Sequence, residues 1–152
     1  MKSFLTCFTM TVFGNLLVAE DNKDIPKELL PFQGKWVVKE WTGGKNPPAS
    51  KEKYPTFTVK GDQFNLIDAG KDKGESMKFT VSPNKKPSEI NLLPESEKES
   101  SIEGIFKFEK GTLTLCLEME GPPGKYAPRP KAFKADKTFS LIVLVKEDKK
   151  EK

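Results

Sequence analysis

The sequence predicts an all-β fold, an eight-stranded antiparallel up-and-down barrel preceded by a short N-terminal helical turn. Three observations carry that expectation. Eight short apolar runs show two-residue periodicity, most are joined by brief turns rich in Gly, Pro, Asn and Asp, and no helical periodicity of any length separates them. Consecutive strands without crossover helices pair antiparallel. A meander of eight hides its edges best by closing on itself. A two-sheet sandwich is the alternative, and strand spacing alone does not separate the two.

The elements follow in order. Pro26 opens a helical turn that runs to Leu30, with Asp24 as its cap and Pro31 as its stop. Residues 35–42 (KWVVKEWT) form the first strand. Residues 56–60 put Phe57 and Val59 on one face, Gly61-Asp62 turns the chain, and residues 63–67 bring Phe64 and Leu66 together. Residues 76–81 align Met77, Phe79 and Val81, and residues 89–93 align Ile90 and Leu92. Residues 102–109 set Ile102, Gly104, Phe106 and Phe108 against Glu103, Lys107 and Glu109. A tight hairpin follows, with Gly111 free to take positive φ. Residues 112–119 align Leu113, Leu115, Leu117 and Met119. Residues 121–130 (GPPGKYAPRP) exclude regular structure. Residues 131–134 stand outside the count as a short extra strand. Residues 139–146 (FSLIVLVK) are the most apolar run and read as a strand buried on both faces.

The N-terminus reads as a secretory signal over residues 1–19. Lys2 supplies the positive start, residues 4–13 are uncharged and largely apolar, and charge begins abruptly at Glu20 after Ala19. The apolar run falls short of the roughly 20 residues of a membrane helix, so no span is expected after cleavage. Residues 20–31 form an N-terminal segment, residues 32–147 the barrel domain and residues 148–152 a charged tail. The expected location is exported, periplasmic or extracellular. Of 26 basic residues the signal holds only Lys2, leaving 25 against 22 acids, a net charge of +3. Cys116 is then the single thiol, so no internal disulfide forms.

Composition removes whole classes of chemistry. The chain has no His, which excludes Ser-His-Asp and Cys-His catalysis and any imidazole-based metal site. The carboxylate pairs Glu118 with Glu120 and Glu95 with Glu97 read as solvated strand-edge residues. The stretch from Asp68 to Glu75 fails the EF-hand pattern, because Gly70 and Phe79 fall where ligands are required. Gly43-Gly44-Lys45 lacks the remainder of a phosphate loop. Arg129 is the sole Arg and the lysines are scattered among acids, so nucleic acid is not an expected partner. Cys116 shares the side of Thr112, Thr114 and Glu118 and reads as a half-buried, inert thiol. No catalytic residue, cofactor or metal is expected.

Several segments together carry a resemblance. Phe32-Gln33-Gly34-Lys35-Trp36 with Val37-Val38, then residues 57–66, Lys85-Lys86-Pro87 with Ile90-Asn91-Leu92, Gly104-Ile105-Phe106, residues 111–117 and Arg129-Pro130 with Phe133 occur in one order. That ordered set resembles a secreted domain family of unknown function abundant in planctomycete bacteria, over about residues 32–147. The family is similar in turn to lipocalin-like barrels, whose first strand carries Gly-x-Trp, here Gly34-Lys35-Trp36. The resemblance implies structural roles for Gly34, Trp36 and Arg129. Arg129 is expected to stack on the Trp36 ring and close one barrel end, a contact of roughly 0.5–2 kcal/mol.

The functional expectation is a non-enzymatic exported domain whose barrel takes a small apolar ligand. Phe57, Phe79, Phe106, Phe108 and Leu115 are the candidate lining residues. An eight-stranded interior is also narrow enough for side chains to fill it. The alternative is therefore a structural or interaction domain with a filled core. It would meet an envelope protein through Trp41 and residues 43–48, or through Tyr126.

Overall fold

The computed structural model describes residues 25–95, 101–119, 121–122 and 125–147. The expected signal segment, its cleavage point, Asp24 and the charged tail lie outside the described residues, as do Glu97 and Glu120. Eight strands run in chain order: β1 (Gly34–Gly43), β2 (Thr56–Lys60), β3 (Gln63–Ile67), β4 (Glu75–Ser82), β5 (Ser88–Pro94), β6 (Ile102–Glu109), β7 (Thr112–Leu117) and β8 (Ser140–Lys146). Each pairs antiparallel with the next, and β8 pairs with β1. The sheet is thus a closed up-and-down barrel of lipocalin-like form, and the sandwich is excluded. β2, β3 and β6 have the bounds that the two-residue period predicts, and the other five differ by one or two residues at their ends.

Three expectations are corrected. Pro31 does not stop the helical turn, which runs Lys27–Phe32 as 3-10 structure with no side-chain cap at its start. Its two turns close separately, with Leu29 N donating to Pro26 O at 2.9 Å and Gln33 N donating to Leu30 O at 3.2 Å. Pro31 follows Leu30 in the second of these, the position at which its fixed φ suits a turn. Residues 131–134 form no strand, because β7 and β8 pair with each other and leave no edge to join. β8 is buried on its inner face only, since Leu141, Val143 and Val145 are half-buried.

The inner face is one continuous core. Directly opposed residues share a face in an antiparallel pair, and the register links Trp36 to Phe57, Phe57 to Leu66, Phe64 to Met77, Phe79 to Leu92 and Phe106 to Leu115. The side chains of Phe57, Phe79, Ile90, Leu92, Leu113 and Leu144 are at most 1% exposed. Gly104 lies among them because a Cβ there would sit 2.8 Å from Leu117 Cβ and 3.2 Å from Ile90 Cγ2.

The two ends of the barrel differ. One end has two-residue hairpins, Gly61-Asp62 between β2 and β3 and Lys110-Gly111 between β6 and β7. Lys110 (φ 48°) and Gly111 (φ 76°) both take positive φ, the I′ pattern that suits strand twist. The 3-10 turn plugs this end. Phe32 packs against Phe79, Phe106 and Phe108 with ring centroids 4.9–5.4 Å apart, and Leu29 is buried beside it. At the other end lie the four longer connections, between β1 and β2, β3 and β4, β5 and β6, and β7 and β8.

Candidate functional site

The motif at residues 32–36 builds the plugged end residue by residue. Phe32 fills the barrel floor. The Gln33 amide donates to Leu29 O (3.0 Å) and Gly61 O (2.9 Å) and accepts from Gly61 N (2.8 Å), which ties the plug to the β2–β3 hairpin. Gly34 sits at φ 115°, where an L side chain is strained. Trp36 is 1% exposed, and its Nε1 donates to Phe32 O at 2.7 Å.

The five candidate lining residues lie in this filled region. Phe57, Phe79, Phe106 and Leu115 are at most 5% exposed. Phe108 lies at the rim of the plugged end, 37% exposed, edge-on to Phe32 and 6.2 Å from the Trp36 ring. None of the five borders the cavity described below. Large aromatic side chains at interior positions, together with Phe32 from outside the sheet, occupy the space a deep ligand would need.

Arg129 does not stack on Trp36. The cation over that ring is Lys146, with Nζ 5.2 Å from the centroid, because β1–β8 pairing places Lys146 directly opposite Trp36. Arg129 belongs instead to the strap between β7 and β8, whose residues 125–136 lie against the outside of the barrel. Its guanidinium donates to Ile90 O and Gly104 O, carbonyls of paired residues on β5 and β6, and to Asn91 Oδ1 at 2.6 Å. Glu89 and Glu103 stand at 3.7 and 3.8 Å. Nearby, Phe133 lies beneath Lys107, whose Nζ is 5.3 Å from the ring centroid.

The strap changes what the outer face of β7 is. Cys116 is fully buried rather than half-buried, with Sγ 3.6 Å from Ala132 O and 3.7 Å from Lys134 O. Burial pushes its thiol pKa above the ordinary value, partly offset by the Lys134 contact. Glu118 is likewise buried at 4% exposure, not a solvated strand-edge carboxylate. It accepts from Lys45 Nζ at 3.1 Å and from Ala127 N, and so joins the β1–β2 connection to the strap. The tightly packed strap is why an outward position in the two-residue pattern does not mean a solvated one. Among the described residues, no group of three or more His, Cys, Asp or Glu side chains is placed to hold a metal ion. No described helix is long and apolar enough to cross a membrane.

The open end holds a cavity of about 270 Å³. Its apolar wall is Trp41, Pro48, Pro55, Leu66 and Met119, and its polar wall is Asn46, Lys53, Asp68 and Glu75. Trp41 reaches the interior through a β-bulge. The β1–β8 register passes from Val38 opposite Leu144 to Glu40 opposite Val143, so Lys39 is the extra residue. An added residue reverses the alternation, which puts Trp41 opposite the inward Ile142 and sends Glu40 outward. Strict two-residue counting from Trp36 would turn Trp41 to solvent. Trp41 Nε1 is buried without a hydrogen-bond partner among the described residues, a cost of about 1–3 kcal/mol.

Glu75 owes its place to Gly74. A Cβ on Gly74 would meet Leu66 O at 1.9 Å, so only Gly lets β4 start so close to the end of β3. Glu75 then falls directly opposite Leu66, on the inner side at the lip. Asp68 is paired with Lys71 at 2.6 Å. Lys53 stands on a three-residue 3-10 turn, Lys51–Lys53, and is exposed. Sequence reasoning missed this cavity because periodicity gives Leu66 and Met119 an inner face only, whereas the rest of the wall comes from connections, a strand start after Gly74 and a bulge that carry no periodic signal. No family model, no curated protein and no solved structure matches the chain.

Proposed function

We propose that the chain is an exported, non-catalytic binding module that takes a small, partly apolar ligand at the mouth of its barrel. The observation that carries the reading is the cavity of about 270 Å³ at the loop-bearing end, with Trp41 in its wall. That is just under the roughly 300 Å³ at which ordinary ligand sites begin, so the ligand is a small one and sits near the surface. Long connections around a rigid sheet are where proteins place variable recognition residues. Lipocalin-like barrels offer this arrangement without chemistry of their own. The absence of His and the lack of any activated nucleophile motif support a role in binding rather than turnover.

The packed interior favours a second reading, a structural or interaction domain with a filled core. Amide-resolved NMR screening against small aromatic and aliphatic compounds separates the two. Binding at the mouth shifts the Trp41 indole and the amides of Leu66 and Met119 and leaves the Trp36 indole in place. Compounds that move no mouth resonance at millimolar concentration refute the ligand reading. Export is tested by N-terminal sequencing of protein recovered from its own host. A chain that starts at or near Glu20 supports it, and an intact Met1 overturns it.

A further inference from the structure

We infer that the mouth cavity selects small organic cations, amines with an apolar body, over neutral or anionic molecules of the same shape. The inference rests on the ligand-binding reading above and adds the chemistry of the ligand.

Three placements carry it. Trp41 presents an indole to the cavity from a rigid strand, and indole is the aromatic ring that attracts a cation most strongly. Glu75 faces the same cavity from the first position of β4, opposite Leu66 in the barrel register. Its carboxylate has no ion pair among the described residues. Pro48, Pro55, Leu66 and Met119 supply an apolar wall for the ligand's body.

The other charges at the rim do not cancel this preference. Asp68 adds a second carboxylate, already neutralised by Lys71 on its own loop. Lys53 is the one lysine in the wall among the described residues. It stands at the end of a long flexible stem on an exposed turn, so its ammonium can stay in water. Glu75 is exposed as well, but its stem is shorter than that of Lys53 and its backbone is held opposite Leu66 by the β3–β4 pairing. Two carboxylates against one ammonium in the wall of a cavity that an indole also lines, in a chain of net charge +4, are a local reversal of sign. A bound ammonium would meet the carboxylate at one edge and the ring at the other.

The test compares three probes of one size at pH 7: benzylamine, benzyl alcohol and benzoate. Binding is followed by the Trp41 indole resonance in the full chain. Benzylamine is expected to bind about fivefold or more tighter than benzyl alcohol, the scale of one partly exposed charge pair, with benzoate weakest. Its advantage should shrink with added salt. Glu75→Gln should bring benzylamine down to the affinity that benzyl alcohol has for the same variant. Lys53→Met should not weaken benzylamine. Equal affinities for amine and alcohol overturn the cation preference. So does tightest binding of benzoate, lost in Lys53→Met. If none of the three moves the Trp41 resonance, the ligand reading itself fails, a result distinct from a wrong charge preference.

Discussion

At one end of the barrel Trp36 is 1% exposed, hydrogen-bonded to the plug and covered by Lys146. At the other, Trp41 is half-buried, lines a cavity and leaves its indole N–H unpaired among the described residues. Both lie on β1 and both point inward. The plugged end gathers short hairpins, a filling aromatic and the hydrogen bonds of Gln33 and Trp36, which together favour burial. The mouth tolerates an unpaired donor and an unfilled volume. Elements of a fold that depart from full packing and full pairing are where function is expected to lie, and in this barrel both departures occur at the same tryptophan.

The largest expected effect tests the plugged end. Phe32→Ala removes a side chain that touches three other phenyl rings, and truncating a buried Phe costs about 3–5 kcal/mol. Pro48→Ala at the mouth opens a wall that is already half-exposed and should cost less than about 1 kcal/mol. Thermal and urea unfolding of the two variants check the contrast. Equal losses would mean that the two ends are not built on different plans.

Arg129→Lys follows. The guanidinium is 20% exposed and donates to three acceptors on β5 and β6. An ammonium does not span the same fork. Leaving strand carbonyls short of a donor should lower stability by about 1–3 kcal/mol. Hydrogen exchange should rise first in residues 125–136, where the strap would lift from the sheet. A melting temperature equal to wild type would show that the strap is held by Phe133 and the Cys116 contacts instead.

The two tryptophans give a smaller and more pointed comparison. Trp36→Phe deletes the bond to Phe32 O and leaves a small void, and it should cost about 1–3 kcal/mol. Trp41→Phe deletes a donor that has no partner among the described residues. Its lost packing is offset by removal of that penalty, so its net change should stay within about 1 kcal/mol of zero. Denaturant midpoints decide it. A Trp41→Phe loss as large as that of Trp36→Phe would refute the view that the mouth is energetically relaxed.

The barrel was legible because it rests on alternation. Phe57 with Val59, Phe64 with Leu66, and Leu113 with Leu115 and Leu117 mark an inner face at every second residue, and closure followed from the strand count. The site was not legible for the reason that Trp41 illustrates. Its direction depends on a bulge at Lys39, and nothing in KWVVKEWT marks which residue is the extra one. Arg129 shows a second limit. A Pro-rich segment fixes no path in the sequence, so the side chain's target on β5 and β6 became visible only when the strap's course was known. Glu118 and Cys116 fall to the same cause, since two-residue periodicity assigns them an outer face without saying what covers it.

The smallest effect concerns that covered face. Burial raises the Cys116 thiol pKa in the folded chain above its value in the unfolded one. The folded state therefore holds the proton to higher pH. Stability linked to this group is complete below the unfolded thiol pKa and is lost as pH rises toward the folded one. Wild type should lose more stability than Cys116→Ala between pH 8 and pH 10, about the range that begins near an ordinary thiol pKa of about 8.5. Subtracting one curve from the other isolates the contribution of the thiol. The thiol of the native chain should also react slowly with an alkylating agent at pH 8, and at the rate of a free thiol in urea. Parallel stability curves, or fast alkylation of the folded protein, would mean that the strap opens readily. The outer face of β7 would then resemble the relaxed mouth rather than the sealed floor.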